Sequence, residues 1–158
     1  MPPRLASPRL LDTKTLMFNL TDASLAHTGL RLVLGVNIAL HGLTRLPELG
    51  AFAEKIAGLF SDTILPHWLV SITAHGIPIA EALIGLAVLI GFRLRWSLFA
   101  GLCLIGLLTF GTCMRQAWET AGAQLVYGIA FWLLLFRHQD AALSWDAWRI
   151  ARSGGRQA

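Results

Sequence analysis

The chain has 158 residues, of which 55% are apolar and only 14% charged, with a formal net charge of +4. A mean hydropathy of +0.60 lies above the range of soluble domains and points to a polytopic membrane protein. The basic residues are spread among the connections instead of forming one patch, which argues against nucleic acid as a partner.

Residues 1–26 contain charges but no uninterrupted apolar core followed by a small-residue cleavage site, so they read as a retained cytoplasmic or interfacial segment. Leu10, Leu11, Leu16, Met17 and Phe18 are expected to rest on the inner membrane surface.

Residues 27–136 form the expected membrane domain, with apolar runs at 27–46, 68–92, 96–114 and 120–136. Each approaches the roughly 20 residues that a helix needs to cross the hydrocarbon. A lipid-facing backbone must satisfy its own hydrogen bonds, and the runs lack the alternation of a membrane β-barrel. The expected fold class is therefore all-α, a membrane-embedded four-helix bundle filling one domain.

Arg4, Arg9 and Lys14 precede the first span, Arg93 and Arg95 fill the second connection, and Arg137, Arg149, Arg152 and Arg156 follow the last span. The first and third connections hold only Arg45, Lys55 and Arg115. The positive-inside rule then puts both termini and the 93–95 turn on the cytoplasmic side, with 47–67 and 115–119 on the other. Trp68, Trp96 and Trp118 fall at span ends, where interfacial anchors belong.

The connection 47–67 carries Phe52, Ile56, Leu59 and Phe60 at helical spacing, opposite Glu54 and Lys55. This pattern predicts a short amphipathic helix in the outer interface, either a surface linker or a lid over a site below. After the last span, Trp145, Trp148 and Ile150 with Arg149 and Arg152 predict a second interfacial segment within a cytoplasmic tail, 137–158.

Glycines recur in the spans, among them Gly35, Gly42, Gly85 and Gly101, as expected where helices approach closely in lipid. Ala74, Pro78, Glu81 and Gly85 share one helix face, which should point into the bundle. Cys103 and Cys113 lie roughly 15 Å apart on one predicted helix, too far for a mutual disulfide.

The polar residues inside these runs carry the functional signal, because ionisable groups in hydrocarbon are expensive without compensation. Measured along ideal helices from the outer surface, Arg31 and Glu81 both lie about 20 Å down. That match predicts an Arg31–Glu81 pair, read either as a structural ion pair or as a proton-exchanging carboxylate with its partner. A second tier has His41, His75, Gln124 and Tyr127 about 7–12 Å down, with Arg45 one turn above His41 and Asn37 one turn below it.

Asn37, His41 and Arg45 form one stripe, and Pro78 is expected to free the Ala74 carbonyl and kink the helix near His75. Several hydrogen-bonding groups converging in an apolar bundle suit a small lipophilic ligand. His41 and Glu81 are the candidate catalytic groups, and Asn37, Arg45, His75, Gln124 and Tyr127 the candidate ligand-binding ones. His41 and His75 are alternatively placed to ligate a haem b iron from facing helices, although on an ideal helix His75 points about 120° away from Glu81. His27, His67 and His138 fall at span edges and are expected to be solvated.

The segments Arg31-Leu-Val-Leu-Gly35, His41-Gly42-Leu-Thr-Arg45-Leu46, Pro78-Ile-Ala-Glu81 with Gly85, and Gly91-Phe-Arg93 together resemble the DoxX/DoxD family of small four-helix bacterial membrane proteins. The resemblance covers residues 28–135 and implies an inner-membrane protein, in some relatives the small subunit of a thiosulfate:quinone oxidoreductase. It carries over to Arg31, His41, Arg45, Pro78 and Glu81, and it implies no fixed role for any of them. No sulfur-handling soluble domain is present, so such an activity requires another polypeptide. The expectation is a redox-complex subunit binding a quinone, with a second subunit or a homo-oligomer as partner. The competing readings are a non-catalytic anchor, an assembly factor or a small-solute carrier.

Overall fold

The first long helix, α1 (Asp22–Leu43), starts where Thr21 accepts a hydrogen bond from the Ser24 amide at 3.2 Å and Asp22 places a carboxylate in the first turn. It ends ahead of Pro47, which lies in a short 3-10 turn, Leu46–Glu48. Beyond it come α2 (Leu49–Leu59), α3 (His67–Ile90), α4 (Leu94–Met114), α5 (Trp118–Phe136) and α6 (Trp145–Gly154). The computed structural model describes residues 20–154. The N-terminal surface anchor expected around Leu10, Leu11, Leu16, Met17 and Phe18 lies outside the described residues, as do Arg4, Arg9, Lys14 and Arg156.

No strand occurs among the described residues, and four helices are long and apolar enough to cross a membrane. Large apolar side chains such as Val33, Leu83, Val126 and Ile129 are exposed around the bundle, as befits a surface solvated by acyl chains. The protein is an all-α, multi-pass membrane bundle. The helix expected in the 47–67 connection is present as α2, and the tail segment marked by Trp145, Trp148 and Ile150 is helical, as α6.

The bundle is built from two close helix pairs, α1 with α3 and α4 with α5. Glycine makes the first pair possible. Gly35 lies against the Leu89 backbone, Gly42 against the Ala82 nitrogen and Pro78 carbonyl, and Gly85 against the Ala39 nitrogen. At each of these points a methyl group would meet backbone. In the second pair Gly101 accommodates the ring of Phe131, which is fully buried. The expected inward face of α3 is observed, with Ala74, Pro78, Glu81 and Gly85 all buried, and the helix runs through Pro78 without interruption.

Helix α3 closes on Gly91 at φ 78°, a left-handed cap in which the Gly91 and Phe92 amides both return to the Ala87 carbonyl. Arg93, also left-handed at φ 42°, leads into α4. The first two amides of that region are claimed by a distant carboxylate: Asp146 accepts from Arg93 N at 3.0 Å and Leu94 N at 2.7 Å. One side chain thus caps α4 and ties α6 to it. Asp146→Ala is expected to lower stability in detergent by about 1–2 kcal/mol. Thermal unfolding that leaves the variant level with the parent would remove this capping role.

The end of the bundle bearing α2 is the lid end; the other, bearing the α3–α4 turn and α6, is the tail end. Buried Leu34, Ile38, Val88, Leu94, Leu98, Ile105, Phe131 and Leu134 form one core drawn from all four long helices. These residues lie toward the tail end. The lid half is therefore where the four helices leave space.

Candidate functional site

That space is a cavity of about 540 Å³, within the roughly 300–1,000 Å³ usual for small-molecule sites. Ile38 and Ile105 form its floor, continuous with the core, and its walls are mostly apolar. Its roof comes from α2, which turns Phe52, Ile56 and Phe60 toward it. Of the two sequence readings of the 47–67 connection, the lid describes the arrangement.

Asn37, His41 and Arg45 line the cavity from α1 and the segment just after it, Glu81 from α3, and Gln124 and Tyr127 from α5. Six of the eight residues singled out by their cost in hydrocarbon therefore share one site. The other two do not.

The first exception is Arg31, and with it the Arg31–Glu81 pair. Glu81 is paired instead with Arg45, at 2.6 Å between Nη1 and Oε2. The cause is helix register. The close approaches at Gly35, Gly42 and Gly85 set Glu81 opposite Leu43, twelve residues along α1 from Arg31, or about 18 Å. Depths measured from a common outer surface mislead here, because α3 begins well beyond the end of α1 and packs its first turns on α2.

Arg31 is only 4% exposed. Its side chain leans toward the start of its own helix, where Nη2 donates to the Leu143 carbonyl and Nη1 approaches Gly91. It pins the tail segment rather than a carboxylate.

The second exception is His75. The cavity-lining residues of α3 are Leu69, Val70, Thr73, Ala74, Ile77 and Glu81. At 100° per residue His75 sits about 160° from the centre of that face. It is exposed, with Nδ1 donating to the Ser71 carbonyl at 2.8 Å. Pro78 lies within the continuous helix, and the imidazole stays on the face turned away from the cavity. Haem ligation by His41 and His75 across the cavity is thereby lost.

His27 also departs from expectation. Helix α1 begins at Asp22, so His27 lies more than a turn inside it, buried, with Nε2 donating to the Leu134 carbonyl at 3.2 Å.

The polar groups in the cavity fall into two clusters. On the α1–α3 side, the Arg45–Glu81 pair joins the segment after α1 to α3, and the Arg45 guanidinium lies 4.9 Å above the Phe52 ring, holding the lid. His41 donates from Nδ1 to the Asn37 carbonyl at 2.9 Å, which leaves Nε2 as its second exchange point. The Asn37 Oδ1 is buried without a hydrogen-bond partner among the described residues.

On the α4–α5 side, the Thr112 hydroxyl donates to Gln124 Oε1 at 2.9 Å, and Tyr127 lines the wall nearby. Arg115 lies 5.4 Å above the Phe60 ring, gripping the far end of the lid. Thr112, Arg115 and the lid phenylalanines were not among the site residues expected from sequence. The signal for Thr112 is a hydroxyl one turn from Thr109 in an otherwise apolar run; for Arg115 there is none beyond its place at a span end.

Among the described residues no group of three or more His, Cys, Asp or Glu side chains is arranged to hold a metal ion. What the cavity offers is hydrogen bonding and proton exchange at its two polar sides, inside apolar walls and under the α2 roof. Comparisons with protein families, with curated proteins and with solved structures find no match to this chain.

Proposed function

We propose that the protein is a membrane-embedded subunit of a redox complex that binds a quinone, or a similar small lipophilic molecule, in the lid-half cavity. The observation that carries this reading is the cavity itself: about 540 Å³ of mainly apolar space into which Asn37, His41, Arg45, Glu81, Gln124 and Tyr127 all converge. Quinone chemistry couples electrons to protons, so it calls for hydrogen-bonding groups beside an apolar ring pocket. In this reading Arg45, Tyr127 and the Gln124 amide bond ring oxygens, and His41 exchanges a proton through Nε2. Glu81 anchors Arg45 and serves as the buried proton acceptor behind it.

The resemblance of the Arg31, His41, Arg45, Pro78 and Glu81 segments to the DoxX/DoxD pattern supports the same assignment, with electrons supplied or removed by a partner subunit. The tail end carries Arg93, Arg95, Arg137, Arg149 and Arg152, which supports an orientation with that end in the cytoplasm of a bacterial inner membrane and the lid facing outward.

Photo-crosslinking of the protein in its native membrane with an azido-quinone tests the proposal. Label is expected on peptides from α1, α2 and α3 that line the cavity, and excess unmodified quinone should displace it. Labelling no stronger than at lipid-facing Phe99 or Leu83 overturns the assignment.

A further inference from the structure

At the tail end, far from the lid, a second cavity of about 440 Å³ lies in the groove between α4 and α5. Helix register places it. Gly101 accommodates the Phe131 ring and so fixes antiparallel α4 against α5. From that contact Arg95 lies six residues, or about 9 Å, toward the tail end along α4, and His138 lies seven residues from Phe131 in the same direction. The two basic side chains therefore reach one level at the membrane surface, and Trp96, Phe99, Leu135 and Phe136 complete the groove on its hydrocarbon side.

The walls suit an acyl chain. Trp96 meets Phe99 edge-on with ring centroids 6.5 Å apart, and Phe136 stacks on Trp132 at 5.4 Å, so each side of the groove is a stiff aromatic surface. All four rings are exposed. The rim suits an anion. Neither Arg95 nor His138 makes a side-chain hydrogen bond or ion pair among the described residues. The carboxylates of the adjoining segments are engaged elsewhere: Asp140 bonds Arg137 at 2.6 Å, and Asp146 accepts from Arg93 N and Leu94 N. No acidic residue lines the groove.

We propose that this groove binds a phospholipid of net negative charge, its phosphate held by Arg95 and His138 and one acyl chain laid along Phe99, Leu135 and Phe136. Basic side chains at the surface and apolar rings directly beneath them match the two parts of such a lipid in order of depth. Trp96, with its indole N–H near the rim, sits at the level of the glycerol esters. A phosphatidylcholine offers the same phosphate but also sets a quaternary ammonium against the arginines of this end, so the site discriminates by net charge. The site is separate from the lid-half cavity and stands whatever binds there.

Native mass spectrometry of the full chain, released from mild detergent containing equal amounts of dioleoyl phosphatidylglycerol and dioleoyl phosphatidylcholine, tests the proposal. One phosphatidylglycerol per chain is expected, retained about fivefold better than phosphatidylcholine. Arg95→Met should lower its retention about fivefold and His138→Leu about threefold. Arg149→Met, which removes the same charge from α6, should leave it within about twofold of the parent. Glycerol phosphate at the same concentration should not displace the lipid, because it lacks the chain. Should Arg95→Met fail to fold, His138→Leu makes the same comparison. Equal retention of the two lipids, parental retention in Arg95→Met or in His138→Leu, or an equal loss in Arg149→Met overturns the site in favour of diffuse surface charge. Displacement by glycerol phosphate overturns the lipid as its occupant.

Discussion

Gly85→Ala is expected to destabilise the bundle by about 2–3 kcal/mol, although alanine is the better helix former by about 1 kcal/mol. The sign follows from what the added methyl meets. At Gly85 it would sit 2.6 Å from the Ala39 Cα and 2.8 Å from the Ile38 carbonyl carbon, both backbone atoms of the facing helix. A side chain could rotate aside; a helix backbone cannot, so α1 and α3 must move apart along their whole contact. Gly42 presents the same obstacle through the Ala82 nitrogen and the Pro78 carbonyl.

Gly76 and Gly106 provide the internal control, because a methyl group at either meets nothing within 4 Å. Gly76→Ala and Gly106→Ala should be neutral or gain a few tenths of a kcal/mol from helix propensity. Unfolding in mixed detergent micelles with rising dodecyl sulfate measures all three variants. If Gly85→Ala and Gly76→Ala prove equally stable, the two helices are not held at backbone contact and the register drawn from it falls. Loss of that contact should also reach the cavity, because the same glycines hold Glu81 level with Arg45.

The glycines mark the boundary between what sequence could and could not reveal. Their small size, recurring within apolar runs, made close helix packing legible, and the shared face of Ala74, Pro78, Glu81 and Gly85 followed from periodicity alone. Which glycine meets which backbone is a property of two helices together, and no single run encodes it. For that reason Glu81 was matched with Arg31 on depth, when the contacts at Gly35, Gly42 and Gly85 bring it to Arg45. The convergence of Asn37, His41 and Arg45 survived because they share one stripe of α1, so an error of depth moves them together. His75 falls outside because depth alone places it in the tier, and depth carries no azimuth: it sits on the face of α3 opposite the cavity-lining residues. The roof was half legible: the amphipathic spacing of Phe52, Ile56 and Phe60 foretold a helix, but not the two arginines that clamp it, since Arg45 and Arg115 reach their phenylalanines across chain connections of different length.

Arg45→Ala is expected to be the most damaging single change at the cavity, with a loss of about 3–5 kcal/mol. The Glu81 side chain is 4% exposed and that of Arg45 31% exposed, so the two partners are unequal. Removing the arginine strands a carboxylate that has no other cation within ion-pairing distance among the described residues. It also releases the Phe52 ring and with it one end of the lid. Glu81→Gln works the other way round: the amide keeps an acceptor for Nη1, and the guanidinium retains partial solvent contact and its seat over Phe52. A loss of about 1 kcal/mol is expected there. The double variant Arg45→Met with Glu81→Leu replaces the pair by apolar volume and should recover most of the stability lost in Arg45→Ala, since the desolvation of both charges disappears together. Unfolding curves in detergent for the two single variants and the double one decide the matter. Equal losses for Arg45→Ala and Glu81→Gln would mean that the stranded charge is not what the pair protects against, and a double variant weaker than either single would show that the ion pair stabilises the fold beyond the volume it fills.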